Sequence, residues 1–139
     1  MTLSLRMERH CRSASETAEF LQTHAKVEHV RYPALDSHPQ HAVAQRLLPR
    51  GCGGVMAVEV TGGVEGGKRF CDSLDLAWVA TSLGGAHTLV GHAASTTHRQ
   101  MDPDARRRAG IADGLVRVSI GLEDLDDLLE DFDRALEKV

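Results

Sequence analysis

The chain has no long apolar run, no cysteine pairing and no block of positive charge. None of its 139 residues belongs to a stretch approaching the roughly 20 apolar residues that cross a bilayer, so a membrane helix is excluded. Met1 to Arg12 carries charge where a signal peptide needs its apolar centre, and the expected location is cytoplasmic, with no membrane partner. The three cysteines, Cys11, Cys52 and Cys71, are widely spaced and contain no C-x-x-C, which argues against a disulfide framework or a zinc knuckle and for reduced structural thiols. Sixteen Lys and Arg stand against twenty Asp and Glu, a formal net charge of −4, and no basic run could track phosphates; nucleic acid is not an expected partner. A strand, Gly-rich loop and helix fingerprint for phosphate is also absent, as are repeats and low-complexity tracts. Lysine is scarce: Lys26, Lys68 and Lys138 are the whole supply.

What remains is a 42% hydrophobic and 26% charged chain, long enough for one globular domain spanning residues 1–139. Met7, Cys11, Ala14, Ala18 and Leu21 recur at three- and four-residue steps, predicting an amphipathic helix from Leu3 to His24. Val27 to Tyr32 reads as extended before Pro33, and a second helix is expected from Ser37-His38-Pro39 to about Leu48. Met56, Val58 and Val60 alternate with Ala57 and Glu59, the period of a half-buried strand ended by Gly62-Gly63. A third helix is expected over Val64 to Leu74, a short buried strand over Leu76 to Ser82, and a further strand over His87 to Gly91.

After Met101-Asp102-Pro103 a short basic helix carries Arg106, Arg107 and Arg108 to a stop at Gly110. In Leu115 to Ile120, Val116, Val118 and Ile120 point to one side of a strand while Leu115, Arg117 and Ser119 point to the other. The last helix, Asp124 to about Lys138, has a core stripe of Leu125, Leu128, Leu129, Phe132 and Leu136, with acids in its first turn where the helix dipole favours them. Helices and strands mix without strict alternation, so the expected class is α+β: two layers, a small mostly antiparallel sheet covered by helices. The histidines do not argue for a metal. His38 and His41 have helical spacing without acidic or thiolate partners.

Arginine is the side chain best suited to fix a carboxylate in one plane, because its guanidinium gives two parallel charge-assisted hydrogen bonds. Arg117 lies opposite an apolar strand face and could be aimed at a cleft, although periodicity alone reads it equally well as a solvated strand arginine. Three ordered segments bear on the choice: Ser82-Leu83-Gly84-Gly85, then His92-Ala93-Ala94-Ser95-Thr96-Thr97-His98, then Gly110-Ile111-Ala112-Asp113-Gly114-Leu115-Val116-Arg117-Val118-Ser119-Ile120-Gly121-Leu122-Glu123. Together with Thr2 to Cys11 and Val30-Arg31-Tyr32-Pro33-Ala34-Leu35, they resemble the C-terminal domain of the Cys/Met-metabolism pyridoxal-phosphate enzymes. That family includes the cystathionine lyases and synthases, methionine γ-lyase and the homoserine sulfhydrylases. The resemblance covers nearly the whole chain, with one departure in Ala93, where the family usually has proline.

The resemblance implies the small domain of a fold-type I enzyme, with Arg117 binding the substrate α-carboxylate and Thr81, Ser82 and Leu83 lining the pocket beside it. It also implies a structural turn, not a metal site, for the segment that holds His92 and His98. Family members that handle cystathionine commonly have glutamate immediately before the serine. The neutral Thr81 resembles the methionine lyase and sulfhydrylase side instead. It further implies pyridoxal 5'-phosphate in the complete enzyme, bound through a lysine of a large domain or chain that is not among these residues. No lysine here stands in a Ser/Thr-rich context like the family's, so neither a catalytic group nor covalent cofactor binding is expected of this chain alone. The expected partners are the large cofactor-binding domain, a sulfur-containing or homoserine-ester amino acid, and further copies of the chain in a homo-oligomer. The alternative is a noncatalytic remnant that serves as an oligomerisation or binding module.

Overall fold

The computed structural model describes all residues, 1–139. Five helices, α1 (Leu3–Thr23), α2 (His41–Leu47), α3 (Gly63–Asp72), α4 (Pro103–Arg108) and α5 (Leu125–Leu136), accompany five strands. The strands are β1 (Val27–Arg31), β2 (Val55–Val60), β3 (Trp78–Val79), β4 (Leu89–His92) and β5 (Leu115–Ser119). They form one open sheet in the order β1-β2-β5-β4-β3, antiparallel except for the β3–β4 pair. The fold is α+β with a mostly antiparallel sheet.

Register follows from the alternation in β2 and β5. Met56 lies across from Val118 and Val58 across from Val116, while Ala57 faces Arg117 on the opposite side. A shift of one residue would turn the valines to water and Arg117 into the core, so burial of one face locks the pairing. The apolar face is sealed by α1 and α3, with α5 packed across both. Val58, Val60, Val90, Val116 and Val118 meet Ala14, Ala18, Leu21, Phe70, Phe132 and Leu136 there in a single cluster. Phe70 of α3 and Phe132 of α5 pack as a tilted pair with centroids 5.8 Å apart. Neither α2 nor α4 packs on a strand, and no helix covers the side of the sheet that bears Arg117.

Local chemistry sets the element ends. Asp102 caps α4, accepting from the Asp104 and Ala105 amides at 3.0 and 3.1 Å ahead of Pro103 at the first helical position. Gly110 ends that segment in the left-handed region, φ 77°, as its position suggested. Asp124 caps α5 through the Asp126 amide. Burial pushes the Cys71 thiol up to about 12, which suits an inert structural cysteine.

The structure differs from the sequence reading in three places. The stretch Leu76 to Ser82 is not a buried strand. Only Trp78 and Val79 pair, as an edge, and both are more than half exposed. Its flanks are taken by side chains rather than by a ladder: the amides of residues 75–77 donate to Asp131, and the carbonyls of 80–82 accept from Arg117. The buried side of α1 is more polar than its apolar spacing implied, with His10, Ser13 and Thr17 inside and Met7 partly exposed. Finally, α2 begins only at His41, since residues 38–40 form a turn.

Candidate carboxylate-binding site on the open sheet face

Arg117 stands in the middle of β5 between two small neighbours, Ala57 of β2 and Gly91 of β4. A Cβ on Gly91 would lie only 3.7 Å from Nη2 and 3.6 Å from the Ala80 carbonyl, so any longer side chain would fill the space through which the guanidinium reaches. Nη1 donates to the Thr81 carbonyl at 2.9 Å, and Nη2 donates to the carbonyls of Ala80 at 2.8 Å and Ser82 at 2.9 Å. Nε is buried and has no protein acceptor. Three of the five N–H groups are therefore held by neutral oxygens, and no carboxylate neutralises the charge.

Arg12, Arg106, Arg107 and Arg134 are placed differently, each paired with an acid. Arg106 donates to Asp113 at 2.6 Å, Arg12 to Glu16 at 3.0 Å, and Arg134 to Asp131 at 2.6 Å. Their charges are matched by acids, and Arg106 beside Asp113 holds that carboxyl below the usual carboxylate range. Beside Arg117 opens a cavity of 240 Å³ lined by Val79, Ala80, Thr81, Gly91, Ala93, Thr96 and Thr97. A larger cavity of 390 Å³ lies elsewhere, among Glu28, Arg31, Glu59, Arg107 and Asp113, where charges of both signs are mixed. A single uncompensated guanidinium on a small, mainly uncharged hollow suits a monoanion with a short side chain.

Of the residues read from the sequence, Arg117, Thr81 and Ser82 come together. Thr81 lines the cavity, and both Thr81 and Ser82 meet the guanidinium through backbone carbonyls. Leu83 stands apart, 58% exposed at the start of the turn that Gly84 makes with φ 75°. Two further residues went unnoticed in the sequence. Ser119, two positions along β5 from Arg117, accepts from the Gly84 amide at 3.0 Å. Asp131 of α5 accepts from the amides of Asp75, Leu76 and Ala77 at 2.9, 3.1 and 3.0 Å. The signal for Asp131 was an acid on the buried side of an amphipathic helix, between Leu128 and Ala135.

His92 is buried in β4 with both ring nitrogens engaged, Nδ1 with Ser95 Oγ at 2.8 Å and Nε2 with the Asp113 carbonyl at 2.7 Å. It ties β4 to the turn before β5. The lysines sit away from Arg117: Lys26 donates to the Val139 carbonyl, Lys68 pairs with Glu65 on α3, and Lys138 follows α5. No amine is therefore placed beside the guanidinium to carry a pyridoxal group, and these residues do not fit that cofactor by themselves.

The chain is thus a small α+β layer with one sheet face sealed by helices and the other open, presenting Arg117 between Ala57 and Gly91. A family model described as Cys/Met metabolism PLP-dependent enzyme matches residues 1–137, and the chain belongs to that family. L-methionine gamma-lyase of Fusobacterium nucleatum subsp. polymorphum is 44% identical over 138 residues, covering 99% of this chain and 35% of that protein. L-methionine gamma-lyase of Pseudomonas putida is 47% identical over 135 residues, 97% of this chain and 34% of that protein. O-acetyl-L-homoserine sulfhydrylase of Leptospira meyeri is 44% identical, covering 99% of this chain and 31% of that protein. The chain thus spans about a third of the length of the curated relatives it matches. These relatives carry lyase and sulfhydrylase names, and the family is one of PLP-dependent enzymes of Cys/Met metabolism. No helix is long and apolar enough to cross a membrane.

Proposed function

We propose that residues 1–139 are the small domain of a cytoplasmic, pyridoxal-phosphate-dependent sulfur-amino-acid lyase or transferase, and that Arg117 binds the α-carboxylate of its substrate. The observation that carries this reading is the guanidinium itself: half-buried, oriented by three neutral carbonyls, and left with its charge unmatched. Cofactor and Schiff-base lysine belong to a large domain that faces the open side of the sheet, and the complete enzyme assembles as a homo-oligomer. Thr81 and the hollow beside it favour a substrate without a distal ammonium, such as methionine or a homoserine ester.

With both Nη2 hydrogens engaged, a bidentate carboxylate would replace the Ser82 carbonyl, the more exposed of the two Nη2 acceptors. The guanidinium would then hold the α-carbon at a fixed angle, which decides the bond that stands perpendicular to the cofactor ring. Leu83 is exposed and does not line the hollow.

A chimera tests this. Replacing the matching C-terminal third of the Fusobacterium methionine gamma-lyase with this chain should give a cofactor-loaded enzyme that eliminates from L-methionine. Arg117→Ala should lower kcat/KM by about 10- to 150-fold, the loss of one charge-assisted pair, with Arg117→Lys less severe and cofactor absorbance intact. A chimera that holds the cofactor and turns over, with Arg117→Ala within about twofold of its parent, would exclude the carboxylate role.

A further inference from the structure

Arginine has a flexible stem, so a guanidinium takes its orientation from the acceptors around it. For Arg117 those acceptors are the carbonyls of Ala80, Thr81 and Ser82, which follow a two-residue edge strand. Edge backbone of this kind is ordinarily the loosest part of a sheet. Here the stretch is held at both ends. Upstream, the Asp131 carboxylate accepts all three amides of residues 75–77. Downstream, Ser119 Oγ accepts the Gly84 amide. Between them the ladder contributes the Trp78 amide to the Thr88 carbonyl and the Ala80 amide to the Val90 carbonyl, both at 2.9 Å.

Asp131 is only 4% exposed, and apart from Arg134 every donor to its carboxylate belongs to this stretch. A buried carboxylate is tolerated where its lone pairs are filled. Sliding of the stretch would strip all three backbone donors from the buried carboxylate and leave it only Arg134. Ser119 is 1% exposed and shares β5 with Arg117, so the downstream anchor and the arginine ride on the same strand.

We infer that Asp131 and Ser119 are positioning residues for Arg117: by fixing the backbone of residues 75–84 at its two ends they set the carbonyls that orient the guanidinium. Its meaning for catalysis rests on the carboxylate reading of Arg117, whereas the mechanical link does not. Neither residue touches the cavity beside Arg117.

The test uses the ¹⁵N-labelled chain and no substrate. The Nε–H groups of Arg117 and Arg106 are both buried without a protein acceptor, so each gives a signal sensitive to rotation of its guanidinium. In Asp131→Asn the amides of 75–77, and in Ser119→Ala that of Gly84, should exchange about tenfold faster or more. In both variants the Arg117 Nε–H signal should shift or broaden while that of Arg106, paired with Asp113, stays in place. If Asp131→Asn loses the native spectrum, Ser119→Ala, which deletes one oxygen, decides alone. Faster local exchange with an unmoved Arg117 signal would overturn the inference, and so would equal changes at Arg117 and Arg106. Failure of the carboxylate reading appears separately, as full activity of the Arg117→Ala chimera.

Discussion

On the helix-covered face of the sheet Val58, Val116 and Val118 are closed under Phe70 and Phe132, whereas on the open face Arg117 and Ser119 are tied to the backbone of residues 80–84. The same strands serve both. The covered face is held by apolar area removed from water, which has no direction and penalises any lost volume. The open face is held by hydrogen bonds between side chains and distant backbone, which add little net stability and fix geometry. Apolar burial and directional hydrogen bonding are thereby divided between the two sides of β5, residue by alternate residue.

Substitutions should expose that division. Phe132→Ala removes a fully buried ring against Phe70 and should cost about 3 to 5 kcal/mol, measured by urea unfolding. A loss under about 1 kcal/mol would show that the covered face is not the seat of stability.

Asp113→Asn is expected to be intermediate, about 2 kcal/mol at neutral pH, because Arg106 is buried while Asp113 is a third exposed. Its pH dependence is diagnostic. Arg106 depresses the Asp113 carboxyl in the folded state, so the pair's contribution is fully present above the unfolded value near about 4 and is lost as pH falls through the lower folded value. Parent and variant stabilities should therefore converge on acidification through that window, and a constant gap would rule the ion pair out as the cause.

The smallest effect should come from Arg117→Ala, about 1 kcal/mol or less, since its partners are neutral carbonyls, two of them in exposed bonds. A thermal scan showing a loss comparable to Phe132→Ala would blur the comparison, and Arg117 would then be a structural clamp.

What could be read beforehand follows the same division. The valines of β5, the stripe of α5 and the side on which Arg117 falls all obey a local period, and burial leaves a period in sequence. Hydrogen bonds from the amides of residues 75–77 to Asp131, or from that of Gly84 to Ser119, join positions 35 to 56 apart and leave none. That is why Leu76 to Ser82 reads as a buried strand: its apolar composition is visible and the side chains that claim its backbone are not. His10 escaped notice for a similar reason: its burial rests on the Ile120 carbonyl, 2.7 Å from Nδ1, whereas Thr17 Oγ1 is buried without a partner. Arg117 was legible as a strand position with two meanings, and only the resemblance to the family's ordered motifs favoured one of them.

The glycines of α3 bear on the order in which the molecule assembles. A Cβ on Gly66 would lie 1.8 Å from the Thr61 carbonyl, and one on Gly67 would lie 2.4 Å from the His92 ring, so the helix lies directly on its support. Each interior glycine weakens a helix by about 1 kcal/mol relative to alanine, and a ten-residue helix with two of them has almost no tendency to form by itself. Its seat includes a ring on β4 that is braced by the turn before β5. The pairing of β4 with β5 is therefore expected to precede α3, and this helix should be among the last parts of the chain to acquire protection from hydrogen exchange during refolding.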